Sequence, residues 1–286
     1  MSAAAEAPDP VALLTLARSA AGAAAAMLAA RRPAGPQGRP AVADTKSSPT
    51  DVVTEMDRAA EAMIAERILA ERPGDAILAE EGGESGHGQV RWIVDPLDGT
   101  INYVYGLADW AVSIAAEVDG AVVAGVVAVP RHREVFTAVA GQGGWLHPDG
   151  APAVRLRCNA RVPLGKALVS TGFGYQRARR VVQGEIVAAV LPQVRDIRRG
   201  GSCAVDLCSV AAGRVDAYYE RGVNYWDWAA GGLIAAEAGA QVAGLAGQPP
   251  SPELAIAAGP GLFQDLHDLL RGLDPERDAE EASSAD

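Results

Sequence analysis

Aromatic and cysteine residues are scarce in this sequence of 286 residues. Aromatic residues make up 5% of the chain, and the cysteines are three in number: Cys158, Cys203 and Cys208. Their odd number and their spacing match no metal site and instead predict buried thiols in a reducing cytoplasm. With so few aromatic side chains and so many alanines and glycines, the chain is predicted to pack helices closely on sheets, not to form an aromatic-rich binding platform.

The sequence shows neither a secretion signal nor an obvious membrane span. Its N-terminus is acidic and has no basic segment ahead of an apolar core, as a signal peptide would require. The alanine-rich run from Ala20 to Ala30 is too short and too weakly apolar to cross a bilayer. We therefore expect a soluble cytoplasmic protein without a membrane partner.

Positive charge is also in short supply. The formal net charge is −11, of which the segment Gly272–Asp286 supplies −5, so that the remainder carries about −6. This balance argues against a nucleic-acid surface as the main function. We interpret two groups of arginines as solvated helix faces or salt-bridge networks: Arg177, Arg179, Arg180, Arg195, Arg198 and Arg199. We expect one domain over residues 1–272 and an acidic disordered tail over residues 273–286.

The most informative stretch runs from Trp92 to Tyr103. The apolar residues Trp92–Val94 predict a strand that ends at Asp95, and Asp98 follows after Pro96, which cannot extend a strand ladder. Gly99 and Thr100 then predict a short helix whose free N–H groups point toward the same spot. Two carboxylates beside an anion-binding helix start suit divalent metal ions that lie between them and a phosphate. Taken alone, the same residues fit a solvated turn equally well.

Other acidic residues stand at comparable places. The strand Ala76–Ala79 ends at Glu80, which has the same relation to its strand as Asp95 has to the next. Thr54 is a predicted N-cap for a helix over Glu55–Glu71, and Asp57 completes a capping box, a structural role compatible with a place in the site. Asp227 opens a later helix, where it could merely favour the helix dipole.

The rest of the chain alternates strands and helices. Residues 10–32 predict a helix, and Asp119-Gly120 predicts a hairpin between strands Ala111–Val118 and Ala121–Val129. We expect a surface loop over residues 84–89 and a turn over Gly141–Gly144. A later strand ends at Glu220.

In order along the chain, these motifs resemble the inositol monophosphatase family of magnesium-dependent, lithium-sensitive phosphatases. The resemblance is carried by Lys46-Ser47-Ser48-Pro49, Asp51 to Asp57, Glu80-Glu81, Trp92 to Asn102, Gly201 to Ala204, Asp216 to Glu220, and Trp226-Asp227. It covers nearly the whole chain. It implies an α+β fold, a layered αβαβα sandwich, and a homodimer.

The resemblance also implies residue roles. The metal ligands would be the side chains of Glu80, Asp95, Asp98 and Asp227 and the main-chain carbonyl of Leu97, holding two or three Mg²⁺ ions. The catalytic residues would be Asp57 and Thr100, which orient the attacking water, with Glu80. The substrate contacts would be Lys46, Asp98, Gly99, Thr100, Cys203, Glu220 and Asp227.

The expected reaction is hydrolysis of inositol monophosphate, a small phosphate ester, by an activated water molecule. Glu220 favours a polyol, since a carboxylate can bridge vicinal hydroxyls. The same chemistry on fructose 1,6-bisphosphate, 3′-phosphoadenosine 5′-phosphate or histidinol phosphate stays open. A non-catalytic interaction protein is the alternative of another class, and the presence of every acidic ligand argues against it.

Overall fold

The computed structural model describes residues 8–32, 42–45 and 52–278, with the backbone alone for residues 42–45, 52 and 53. The helices are α1 (Pro10–Arg31), α2 (Glu55–Glu71), α3 (Thr100–Tyr105), α4 (Arg177–Val190), α5 (Cys203–Ala211), α6 (Tyr225–Glu237) and α7 (Phe263–Gly272). The strands are β1 (Val42–Thr45), β2 (Val52–Thr54), β3 (Ala76–Ala79), β4 (Gly83–Ser85), β5 (Val90–Asp98), β6 (Ala111–Val118), β7 (Ala121–Val129), β8 (Glu134–Val139), β9 (Gly143–Pro148), β10 (Val154–Arg155), β11 (Leu168–Thr171), β12 (Asp196–Arg198), β13 (Ala217–Glu220), β14 (Gln241–Ala243) and β15 (Ala255–Ala258).

These elements form five layers. The larger sheet has the strand order β10-β9-β8-β7-β6-β5-β3-β4, and the smaller has β12-β11-β13-β15-β14. One apolar core joins α1 and α2 to the outer face of the larger sheet, and a second surrounds α5 and α6 between the two sheets. A third core packs α4 and α7 on the smaller sheet. The predicted α+β fold with an αβαβα sandwich is confirmed.

Small residues let the middle layer pack closely. A Cβ atom built on Gly125 of β7 would lie 3.1 Å from the Cα atom of Ala230 in α6. One built on Gly231 of α6 would lie 3.0 Å from the Cβ atom of Leu207 in α5. The close packing expected from the composition is therefore found where α6 meets both the sheet and α5.

Helix α1 is longer than the alanine run that the sequence singles out. Over its 22 residues it is apolar enough, by length and composition, to cross a membrane. Its buried residues, among them Leu13, Leu16 and Leu28, belong instead to the core shared with α2 and the larger sheet. One face of the helix is therefore packed into the core.

The structure corrects three local predictions. The strand predicted to end at Asp95 continues to Asp98, because an irregularity in its pairing with β6 accommodates Pro96 between Asp95 and Asp98. The predicted loop over residues 84–89 includes the end of β4, which pairs with β3. Strand β9 begins at Gly143, inside the predicted turn over Gly141–Gly144.

The predicted boundary at residue 273 stays a prediction. Residues 273–278 are described and contact the folded domain: Arg221 Nη1 donates to Asp278 Oδ1 at 2.9 Å, and Arg277 Nη2 to Glu185 Oε2 at 2.5 Å. The rest of the predicted tail lies outside the described residues.

We expect Gly125→Val to lower the free energy of unfolding by about 1–3 kcal/mol, because the added side chain would collide with Ala230 of α6. Urea denaturation would measure this. Ala121→Val is the matched control on the same strand, where the side chain is exposed, and should change stability by less than about 0.5 kcal/mol. Equal effects of the two substitutions would contradict close packing at position 125.

Candidate active site

Two acidic residues follow neighbouring parallel strands. Strands β3 and β5 pair in parallel with Ala79 opposite Val94, and the N–H of Glu80 donates to the Val94 carbonyl at 3.2 Å. Glu80 and Asp95 are the next residues of the two strands. The register therefore brings both carboxylates to one end of the sheet, as the sequence predicts.

The segment after Asp95 folds back on that carboxylate. The N–H of Leu97 donates to Asp95 Oδ1 at 3.0 Å. Asp98 Oδ2 accepts hydrogen bonds from Ser202 Oγ at 2.6 Å and from the N–H of Ala204 at 2.7 Å. Asp98 is thus held by the start of α5, an element more than a hundred residues further along the chain.

Glycine at position 99 permits this approach. Its φ of +88° lies in the left-handed region, which favours glycine. A Cβ atom there would lie 2.8 Å from the Asp109 carbonyl oxygen and 3.3 Å from Ser202 Cβ. Helix α3 therefore begins next to the start of α5.

Asp57 and Thr100 form a hydrogen-bonded pair. Thr54 donates to Asp57 Oδ2 from its N–H at 2.8 Å and from its hydroxyl at 2.5 Å, which confirms the predicted capping box. The Thr100 hydroxyl lies 3.0 Å from Asp57 Oδ1 and 3.1 Å from the Leu97 carbonyl oxygen. The capping residue of α2 is therefore also a partner of the α3 start.

Asp227 reaches the site from the first turn of α6. Its Oδ2 accepts from the N–H of Asn224 at 2.6 Å, in a second capping box. The cap fixes the carboxylate at the helix start. Asp227 therefore has the structural role at a helix N-terminus that the sequence allowed, and it also lines the pocket.

Glu220 reaches the site from the end of β13. Its Oε2 accepts a hydrogen bond from the Tyr218 hydroxyl at 2.9 Å. A Cβ atom on Gly172 would lie only 2.0–2.2 Å from the Glu220 carboxylate. The carboxylate therefore occupies the space that any other residue at position 172 would need.

These residues line one pocket of about 300 Å³. Its walls include nearly all of the predicted site residues: Glu80, Asp95, Leu97, Asp98, Gly99, Thr100, Cys203, Glu220 and Asp227. Asp57 lies behind Thr100 and is fully buried. Lys46 lies outside the described residues.

The pocket holds more negative charge than it can stabilise unaided. Burial raises the pKa of Asp95 and Asp227 well above the ordinary value, and in both the charge of Glu80 raises it further. Burial raises the pKa of Asp98 to about 6, although hydrogen bonds from Ser202 and Ala204 oppose the shift. Burial also raises the pKa of Glu220 to about 7. The ionised forms would need a compensating cation.

The donor set fits a hard divalent cation. Carboxylate and carbonyl oxygens are the ligands that such cations prefer, and Asp95 and Asp227 each have a second oxygen outside the hydrogen bonds described above. Across residues 8–32, 42–45 and 52–278, no three acidic, histidine or cysteine side chains already enclose one point at ligand distance. The chemistry of the site therefore fits a metal, although its carboxylates are not closed around one.

Two arginines are the residues that the sequence interpretation missed. Arg179 and Arg199 line the pocket, a place that the assignment to solvated faces or salt-bridge networks did not include, although Arg199 is exposed as that assignment expects. For Arg198, which pairs with Asp196 at 2.6 Å, it is correct. The glycine-punctuated segment Gly172–Gly174, beside these arginines, was the signal in the sequence that could have pointed to them.

Comparison with known proteins agrees with this geometry. A model of the inositol monophosphatase family matches residues 9–272. The inositol-1-monophosphatase of Mycobacterium bovis is 48% identical over 245 residues, which are 80% of this chain and 82% of that protein. A protein of Pasteurella multocida named Nus factor SuhB is 42% identical over 201 residues, 69% of this chain and 73% of its own.

The solved structure of Mycobacterium tuberculosis SuhB superposes with a TM-score of 0.79 at 43% sequence identity, covering 94% of this chain and 99% of that one. With the family match over nearly the whole chain, this agreement extends from sequence to fold. The chain belongs to the inositol monophosphatase family, whose members are generally metal-dependent phosphatases of small phosphate esters.

Proposed function

We propose that this protein hydrolyses inositol monophosphate to inositol and phosphate with Mg²⁺ as cofactor. The observation that carries the proposal is the single pocket that joins four carboxylates, the Asp57–Thr100 pair and Glu220. The four carboxylates, Glu80, Asp95, Asp98 and Asp227, with the Leu97 carbonyl, would hold two or three Mg²⁺ ions. When bound there, Mg²⁺ would lower the pKa of a water molecule and stabilise the leaving alkoxide.

The Asp57–Thr100 pair would remove the proton of the attacking water. The Thr100 hydroxyl can pass its proton to Asp57 Oδ1 while it accepts one from water, since the two oxygens are 3.0 Å apart. Burial raises the pKa of Asp57, which makes its carboxylate a stronger base. The water oxygen then bonds to phosphorus, the ester P–O bond breaks, and the alkoxide takes up a proton.

Helix starts would hold the phosphate, and Glu220 would select the alcohol. The N–H groups of Gly99 and Thr100 at the start of α3, together with the backbone at Cys203, would bind the phosphate beside Asp98. The Glu220 carboxylate, fixed by Tyr218, would accept hydrogen bonds from polyol hydroxyls. From the family resemblance, Lys46 would contribute from its loop, and the protein would be a cytoplasmic homodimer.

An interaction role remains the second candidate. The specific observation in its favour is that relatives at 42% and 41% identity carry the name Nus factor SuhB. The complete set of acidic residues in one pocket supports catalysis instead.

Phosphate release with Mg²⁺ tests the proposal. The panel holds inositol 1-phosphate, fructose 1,6-bisphosphate, 3′-phosphoadenosine 5′-phosphate and histidinol phosphate. We expect hydrolysis of the inositol ester, lost with a chelator and inhibited by Li⁺. Preference for another ester would retain the chemistry and change the substrate, and no release from any ester would favour the interaction role.

In the same assay, Asp98→Asn should lower kcat by about 100-fold or more, because a charged metal ligand becomes a neutral amide. Asp119→Asn is the matched control: it removes one negative charge at a hairpin tip, where asparagine tolerates the φ of +51°. Near-normal turnover of Asp98→Asn would refute the assigned ligand role.

Substitution at Gly172 should reproduce the effect of losing Glu220. Gly172→Ala would displace the carboxylate, and Glu220→Gln would remove its charge. Each is expected to lower kcat/KM for inositol 1-phosphate by about tenfold while a simple aryl phosphate loses less than about threefold. Equal losses on both substrates would contradict recognition of the polyol by Glu220.

Without metal, the protein should become less stable as the pH rises from about 5 to 7.5. The raised pKa values of Asp98 and Glu220 mean that the folded state binds more protons than the unfolded state in this range. The free energy of unfolding in a chelator should therefore fall with rising pH, and Mg²⁺ should stabilise the protein more at the higher pH. Glu220→Gln should reduce the slope, and a rising profile in the chelator would contradict the assignment.

A further inference from the structure

Two arginines line the pocket without an ion-pair partner among the described residues. Arg179, in the first turn of α4, and Arg199, just after β12, line the pocket that also holds the carboxylates. The Nε atom of Arg179 is buried without a hydrogen-bond partner, and neither residue forms a salt bridge with any residue that the structure describes. Two other arginines that the structure describes do pair with acidic side chains: the half-buried Arg91 and the buried Arg221.

Glycines make room for both guanidinium groups at the pocket wall. A Cβ atom on Gly222 would lie 2.7 Å from Arg179 Nη1, and one on Gly174 would lie 3.1 Å from Arg179 Cδ. The Arg199 guanidinium stands over the ring of Phe173 at 5.9 Å from its centre, in cation–π contact. The Arg179 guanidinium is therefore placed by close packing in a half-buried position, whereas Arg199 is an exposed side chain whose guanidinium stacks on Phe173.

The position of Arg179 has an electrostatic cost. The first turn of α4 contains no acidic residue, and Gln176 gives the helix no side-chain cap. Cations are unfavourable at a helix N-terminus, and Arg177 and Arg180 flank Arg179 there. Of these three arginines, Arg179 is the one that lines the pocket, and an anion bound there would offset the electrostatic cost of its position.

The metal carboxylates cannot be the partners of both arginines. Arg199 lines the same pocket as Asp98 and Glu220. Asp98 already accepts hydrogen bonds from the start of α5, and Glu220 from Tyr218. An incoming dianion with several acceptor oxygens would match the guanidinium forks.

We propose that Arg179 and Arg199 form a second anion subsite that binds a phosphate group on the alcohol portion of the substrate. The inference rests on the proposed function, because the scissile phosphate would lie at the four carboxylates. At about 300 Å³ the pocket suits a sugar-sized compound with two phosphates. The protein would then prefer a polyol bisphosphate to the corresponding monophosphate.

Matched substrate pairs test the subsite. We would measure kcat and KM for inositol 1-phosphate against inositol 1,4-bisphosphate, and for 3′-AMP against 3′-phosphoadenosine 5′-phosphate. We expect the second phosphate to lower KM by about tenfold in at least one pair. The pair in which it does so identifies a polyol or a nucleoside as the alcohol. Equal KM values within both pairs would overturn the proposal.

Variants of α4 separate the subsite from general charge effects. Arg179→Gln should raise KM for the preferred bisphosphate by about tenfold and change the monophosphate by less than about twofold, with kcat nearly unchanged. Arg179→Lys should restore part of the affinity. Arg177→Gln, which removes the same charge from an exposed neighbour, should leave both substrates unaffected. If Arg179→Gln weakened monophosphate and bisphosphate alike, the proposal would fail.

Arg199→Gln is the second probe. It should also raise KM for the preferred bisphosphate and change the monophosphate by less than about twofold. An unchanged preference for the bisphosphate would remove Arg199 from the subsite.

Failure of the proposed function would be distinguishable. If no ester were hydrolysed, calorimetric titration of the two inositol phosphates would decide the subsite on its own. An affinity for the bisphosphate that falls about tenfold in Arg179→Gln would support it, and an unchanged affinity would overturn it.

Discussion

The burial of several carboxylates in one pocket is the constraint on which the arrangement of this protein depends. Glu80, Asp95, Asp98 and Asp227 share one pocket, and each of the three aspartates has a raised pKa. Hydrogen bonds to the ionised forms, two of them at Asp98 from the start of α5, offset part of the burial cost. The burial cost that these hydrogen bonds do not offset favours the binding of cations in the pocket. The family to which the chain belongs is generally metal-dependent.

The five-layer architecture brings these groups together from distant parts of the chain. The larger sheet delivers Glu80 and Asp95 in register, while α5 and α6 of the middle layer begin at the same pocket. Close packing through Gly125 and Gly231 sets the position of α6 relative to the sheet and α5. The small residues of the core are thus connected to the geometry of the site, since a wider spacing would move Asp227 away from Asp95.

Several residues serve stability and chemistry at once. Asp57 and Asp227 are each the third residue of a helix and complete a capping box with the residue before the helix. A cap fixes a carboxylate in one orientation, which is also what a ligand or a base requires. Substituting either residue would therefore confound folding with activity, whereas Glu220 and Arg179 stand outside any cap and report on the pocket more directly.

The sequence by itself determined the local part of this design. Strand ends at Glu80 and Asp95, the capping box of Thr54 and Asp57, the helix start at Asp227 and the short helix after Gly99 follow from patterns within a few residues, which is why they could be predicted. Only the tertiary structure decided which distant groups meet. It made the hydrogen bond from Ser202 to Asp98, filled the space beside Gly172 with the Glu220 carboxylate, and placed Arg179 and Arg199, of the six arginines in the two groups, at the pocket. Such contacts depend on the packing of separate layers, and no pattern of neighbouring residues specifies which face of a helix the packing will turn toward a pocket.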